Sequence, residues 1–78
     1  MKPIFLMIKT KVGKAYELAA LLADLEIASE IYSISGEYDL MLKIYVEDDT
    51  DIGRKIAELV VDQPLIRDTY TLITHRAF

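Results

Sequence analysis

Ser35-Gly36-Glu37-Tyr38-Asp39-Leu40-Met41-Leu42-Lys43-Ile44-Tyr45-Val46 is a turn that runs straight into a strand, and its reading decides the fold. Gly36 is free to take φ > 0 and Asp39 favours local backbone hydrogen bonds, so residues 35–39 read as a reversal of the chain. From Leu40 the period is two. Leu40, Leu42, Ile44 and Val46 line one face of a strand ending at Glu47, and Met41, Lys43 and Tyr45 line the other. A reversal needs a strand in front of it. Glu26 to Ser35 supplies one, with Ile27, Ile31, Tyr32 and Ile34 as its apolar members.

Outward from this hairpin, the period changes to that of a helix on both sides. Downstream, Asp48-Asp49-Thr50-Asp51 supplies N-cap candidates and first-turn acids. Ile52, Ile56, Leu59 and Val60 then fall on one helical face, and Gln63-Pro64 ends the run because proline is poorly tolerated inside a helix. Leu65 to Arg76, rich in Thr, Tyr and Ile, reads as the last strand. Upstream, Ala15, Leu18, Leu21, Leu22 and Leu25 form another amphipathic face, with Gly13 as a weak start signal and Asp24 near the end. Before it, Ile4 to Thr10 is apolar on both parities, the pattern of a strand covered on both faces.

The order is β-α-β-β-α-β. With a tight turn between the second and third strands, the economical arrangement is an α+β, ferredoxin-like split βαβ: a four-stranded antiparallel sheet with two helices on one face. Seventy-eight residues make one domain, 1–78, and no linker or low-complexity segment divides it. Phe5 and Met7 on the first strand and Met41 and Tyr45 on the third share the face away from the helices. A wet apolar patch of this kind is unusual for a monomer, so these four residues are the expected dimer interface. A hydrophobic content of 53% suits that reading.

Composition narrows the function. There is no cysteine, which excludes disulfides and thiolate metal sites, and one histidine, His75, makes no zinc site unaided. The net charge is −4 and the nine Lys and Arg are scattered, so direct nucleic-acid binding is not expected. No apolar stretch approaches the ~20 residues of a membrane span. The N-terminus lacks a signal-peptide cleavage site, so the expectation is a soluble, cytoplasmic protein with no membrane partner. Glu47-Asp48-Asp49-Thr50-Asp51 resembles a calcium loop only in acidity and lacks its spacing, so it is assigned to helix capping. His75 has no nucleophile or acidic orienter beside it in sequence, and a spatial triad with Ser33 or Ser35 has no support. No phosphate-binding glycine loop or metalloprotease signature is present. Neither catalytic residues nor a cofactor or metal are expected. Tyr16, Tyr32, Tyr38, Tyr45 and Tyr70 lack the interleaved basic residues of an RNA platform and read as ordinary sheet and interface tyrosines.

Gly36-Glu37-Tyr38-Asp39 remains as the sharpest local feature. The plain reading is a hairpin turn. A functional reading, compatible with it, has Gly36 let a ligand approach the backbone, exposed amides bind a carboxylate and Asp39 receive an ammonium group. Thr69 and Thr71, on one side of the last strand and alternating with Tyr70 and Leu72, fit either the ordinary strand preference of threonine or hydroxyls lining a polar pocket.

The stretch 35–44, SGEYDLMLKI, closely resembles the hairpin of Lrp/AsnC-type (feast/famine) regulators, whose effector domain carries a Gly-x-Tyr/Phe-Asp turn leading into an aliphatic strand. The acidic start of the second helix and the proline-led final strand, QPLIRDTYTLI, follow in the same order. The resemblance implies a ferredoxin-like domain that dimerises through its sheet, with dimers assembling into octamers of four dimers. It implies an amino acid or related metabolite bound between dimers near the glycine turn. Gly36, Tyr38 and Asp39 match that turn, Glu37 lies within it, and Thr69 and Thr71 carry over from the final strand. Family members usually bear an N-terminal helix-turn-helix. Here Met1 lies almost at the first strand, so the expectation is a stand-alone effector domain that modulates transcription by co-assembly with full-length DNA-binding relatives. The family often has a glycine after the proline, where this chain has Leu65 after Pro64. Two other readings compete: a small dimeric α+β barrel enzyme of the cofactor-free monooxygenase kind, and a purely structural assembly domain.

Overall fold

The computed structural model describes residues 1–78 as β1 (Lys2–Thr10), α1 (Ala15–Asp24), β2 (Glu30–Ser33), β3 (Leu40–Val46), α2 (Ile52–Val60) and β4 (Ile66–Ile73). The four strands form one antiparallel sheet in the order β2-β3-β1-β4, the split βαβ arrangement in an α+β fold.

Register explains the core. Across β1 and β3, Ile4 faces Ile44, Leu6 faces Leu42 and Ile8 faces Leu40. These pairs project to the helix side, where each of the six residues is 3% exposed or less. Leu18 and Leu22 of α1 and Ile56 of α2 close over them, joined by Val46. Burying one such side chain stabilises the fold by about 1.5–3 kcal/mol, and this single layer between helices and sheet is the whole core.

The helices differ from the sequence expectation in detail. In α1 only Leu18 and Leu22 are buried, with Ala15 and Ala19 packed beside them. Leu21 is 44% exposed on the flank of the stripe made by Leu18 and Leu22, and Leu25 is 60% exposed where α1 has already ended. The strand expected from Glu26 begins instead at Glu30. Leu25 closes α1 and Glu26 takes φ 54, the left-handed position that follows many helix ends, so the chain leaves the helix and is not yet extended. The last strand likewise stops at Ile73 rather than Arg76, β3 ends at Val46 rather than Glu47, and β1 starts two residues earlier than Ile4. Asp51 is the N-cap of α2, its carboxylate accepting the Arg54 N–H at 3.2 Å.

The opposite face of the sheet has no cover. Phe5, Met7 and Met41 lie half-buried there, and Tyr45, Tyr32, Tyr70 and Leu72 are exposed around them. The accessible surface of 5431 Å² exceeds the roughly 4,800 Å² that a folded monomer of 8.9 kDa shows. No helix is long and apolar enough to cross a membrane.

Candidate functional site at the β2–β3 turn

The reversal between β2 and β3 closes with Ile34 N–H donating to the Asp39 carbonyl at 2.9 Å. Gly36 sits at φ 110, where only glycine is unstrained, and a Cβ built there meets nothing within 4 Å. The backbone beside it therefore faces open space. The amides of Gly36, Glu37 and Tyr38 make no hydrogen bond within the protein, so three consecutive donors are free at the turn, two of them on exposed residues and the third on the half-buried Tyr38.

Asp39 anchors the turn. Its N–H donates to the Ile8 carbonyl at 2.8 Å. Its Oδ2 accepts from the Thr10 N–H at 2.8 Å and from the Thr10 hydroxyl at 3.2 Å. Oδ1 has no partner in the protein and remains available to a ligand. Thr10 is only 5% exposed.

Tyr38 leaves the hairpin toward β4 and stacks on Tyr70, with centroids 6.1 Å apart and planes 17° from parallel. Burial raises the Tyr38 phenol above its ordinary value, and the carboxylates of Glu37 and Asp68 reinforce the effect. Tyr70 pairs with Met7 in register, so this stack lies over the uncovered face. Thr69 and Thr71 pair with Ile8 and Leu6 and hence project to the helix side. The structure thus brings Gly36, Glu37, Tyr38 and Asp39 together at the end of β1 and sets Thr69 and Thr71 on the far side of β4 from the Tyr38 ring. Tyr70 and Thr10 belong to the constellation and were missed in the sequence. Tyr70 left a faint signal in its alternation with the threonines, and Thr10 left none.

Phe5, Met7, Met41 and Tyr45 do share one face, as the alternation predicts. At the β2 edge of that face, the Glu30 carboxylate takes an ion pair from Lys43 at 3.3 Å and a hydrogen bond from the Tyr32 hydroxyl. The Tyr32 hydroxyl, and after it Lys43, hold the Glu30 carboxyl below the usual carboxylate range. Lys43 also lies 5.3 Å from the centre of the Tyr45 ring.

Other sequence candidates separate in space. His75 follows Thr74, whose hydroxyl bonds the Pro3 carbonyl at 2.6 Å, whereas Ser33 pairs with Leu40 at the opposite end of the sheet. The histidine and the serines do not meet. No group of three or more His, Asp or Glu side chains is arranged to hold a metal. A groove of about 480 Å³ on the helix side runs between α2 and the α1–β2 connection, floored by Ile27, Ile44, Ile56 and Leu59.

The family described as the Lrp/AsnC ligand-binding domain matches residues 4–78. The HTH-type transcriptional regulator FL11 of Pyrococcus abyssi is 31% identical over 75 residues, covering 92% of this chain and 49% of the relative. The chain therefore spans about half the length of that regulator. Among solved structures, FFRP-DM1 superposes with a TM-score of 0.84 at 31% identity, covering 96% of this chain and 100% of that one. A transcriptional regulator from Neisseria meningitidis, solved as a complex with L-Met, superposes with a TM-score of 0.79 over 95% of this chain and 49% of its own; at 14% identity it shares the fold.

Proposed function

The chain belongs to the Lrp/AsnC ligand-binding domain family, and from that premise we propose that it is a cytoplasmic regulatory module that binds an amino acid or similar metabolite at the β2–β3 turn. One observation carries the reading. Three free amides at Gly36, Glu37 and Tyr38 sit beside a single unpaired carboxylate oxygen of Asp39. That arrangement offers donors to a carboxylate and an acceptor to an ammonium, the two charged groups every free α-amino acid carries. The regulator of N. meningitidis solved with L-Met supports the ligand class, and the regulator relatives support a role other than catalysis.

Assembly is the second half of the proposal. The uncovered face centred on Phe5, Met7, Met41 and Tyr45 meets the same face of a second copy, and four such dimers then associate into an octamer. Residues 1–78 carry a net charge of −4, which does not favour DNA. The module influences transcription through co-assembly with helix-turn-helix relatives, and the ligand acts by favouring one assembly over another through differential affinity.

Thermal unfolding at fixed protein concentration, against each free amino acid in turn and with L-Met first, tests the ligand half. A ligand at 100 times its dissociation constant stabilises the native state by about 2.7 kcal/mol, which raises the midpoint by roughly 10 °C or more in a domain of this size. Silence from all of them at millimolar concentration removes the amino-acid reading and leaves either a purely structural assembly domain or an effector outside the amino acids.

A further inference from the structure

We infer that Thr10 is the positioning residue of the effector turn, holding the Asp39 carboxylate so that the chain leaves the sheet at Tyr38 and places its ring on Tyr70. The inference deepens the proposed ligand site and rests on that reading only for its consequence in binding.

The register shows what Thr10 replaces. Ile8 pairs with Leu40 and Met7 with Met41, so each pair sums to 48. Continued by two residues, the ladder would set Thr10 opposite Tyr38, with the Thr10 N–H donating to a backbone carbonyl there. Instead the Asp39 side chain enters the gap and its Oδ2 accepts that N–H at 2.8 Å. The buried Thr10 hydroxyl lies 3.2 Å from the same oxygen and 3.1 Å from the Lys11 carbonyl, and its single proton is shared between these two acceptors. A carboxylate thus stands in for the strand's next acceptor. Tyr38 is released from pairing, its amide stays free, and its ring swings across the end of β1 to stack on Tyr70.

The other side of Thr10 is shaped to match. Between Lys9 and Thr10 the pairing with β4 shifts from Asp68 to Ile66, a bulge that leaves Arg67 unpaired. Next along the chain, Lys11 N–H bonds the Leu65 carbonyl at 2.9 Å. The end of β1 is therefore tied to the start of β4 and to the β2–β3 turn at one buried residue. The two oxygens of the carboxylate divide the work: Oδ2 accepts from Thr10, and Oδ1, which has no partner in the protein, is left for a ligand ammonium.

The test compares Thr10→Val, which keeps shape and loses the hydroxyl, with Thr10→Ser, which keeps the hydroxyl, in the full 78-residue chain. NMR of the ligand-free protein reads contacts between the Tyr38 and Tyr70 rings and the ionisation of the Tyr38 phenol. In Thr10→Val the inter-ring contacts weaken and the phenol titrates closer to an ordinary tyrosine, while Thr10→Ser keeps the wild-type behaviour. Affinity for L-Met, or for whichever amino acid the wild type binds, falls about tenfold in Thr10→Val, the range a hydrogen bond to a charged group carries, and recovers in Thr10→Ser. Asp39→Asn provides a second route to the same readout, since it retains a side-chain acceptor and weakens both bonds. Unchanged Tyr38 contacts and titration in both Thr10→Val and Asp39→Asn overturn the inference. Altered ring behaviour in a protein whose wild type binds no amino acid sustains the positioning role and sinks the effector reading instead.

Discussion

The two faces of the sheet are built from the same strands and treated in opposite ways. On the helix side, Ile4, Leu6, Ile8, Leu40 and Leu42 have no exposed surface. On the other side their immediate neighbours Phe5, Met7 and Met41 are half-buried, and Tyr45 is 46% exposed. Both faces are apolar, yet only one has been given a cover. The helix-side residues are thereby a matter of stability, and in the proposed dimer the open-side residues are a matter of association.

The largest effect expected from this division is on the covered face. Leu42 is central, flanked by Leu6 on β1 and Ile31 on β2, and Leu42→Ala removes its packing with little room for collapse. The loss is about 2–5 kcal/mol, a large share of the roughly 4–12 kcal/mol available to a domain of this length. Chemical denaturation of wild type and variant measures it. A loss under about 1 kcal/mol would mean that the sheet face is not the core.

Next in size is a change on the open face. In an interface related by a two-fold axis, a residue at the centre meets its own copy or a close neighbour. Met7→Glu would then bring unpaired carboxylates into an apolar contact, and breaking an interface this way weakens the dimer by roughly a hundredfold or more. The monomer's unfolding at low concentration should shift by less than about 1 kcal/mol, since Met7 already touches water. Sedimentation across a concentration series separates the two effects. A variant that stays dimeric at micromolar concentration places the interface elsewhere.

The same division explains what the sequence made legible. The covered face was readable because Leu40, Leu42, Ile44 and Val46 repeat at the period of a strand, and periodicity is a local property. The turn was readable because Gly36 and Asp39 are chosen for backbone chemistry that acts within a few residues. Thr10 and Tyr70 were not, because their roles arise across strands. Only the register tells that Thr10 stands where a carboxylate replaces a carbonyl, or that Tyr70 lies under the Tyr38 ring. Glu26 misled for a related reason: nothing in its side chain announces the left-handed turn that ends α1 and delays β2. Leu21 and Leu25 satisfied the helical period and still face solvent, since period identifies a stripe and only packing says how wide a stripe is covered.

The smallest effect concerns the rim of the open face, where Glu30 is held by the Tyr32 hydroxyl and by Lys43. Its carboxyl titrates below the ordinary glutamate value of 4.5 in the folded chain. A group whose folded value is depressed contributes stability at pH above its unfolded value, and that contribution disappears as pH falls through the folded one. Stability should therefore decline on acidification below about pH 4.5, and Glu30→Gln should flatten that part of the curve while leaving the neutral-pH midpoint little changed. Because the trio is open to solvent, the slope is small in the isolated chain and shrinks further with added salt. If the face meets a second copy, the same carboxylate loses water on association. That desolvation pushes the carboxyl back up and offsets part of its lowering, so the acid sensitivity shrinks as protein concentration rises. A comparison of wild type and Glu30→Gln at two concentrations reads it. Identical pH slopes at both concentrations would leave the rim outside any interface and confine the contact to the apolar centre.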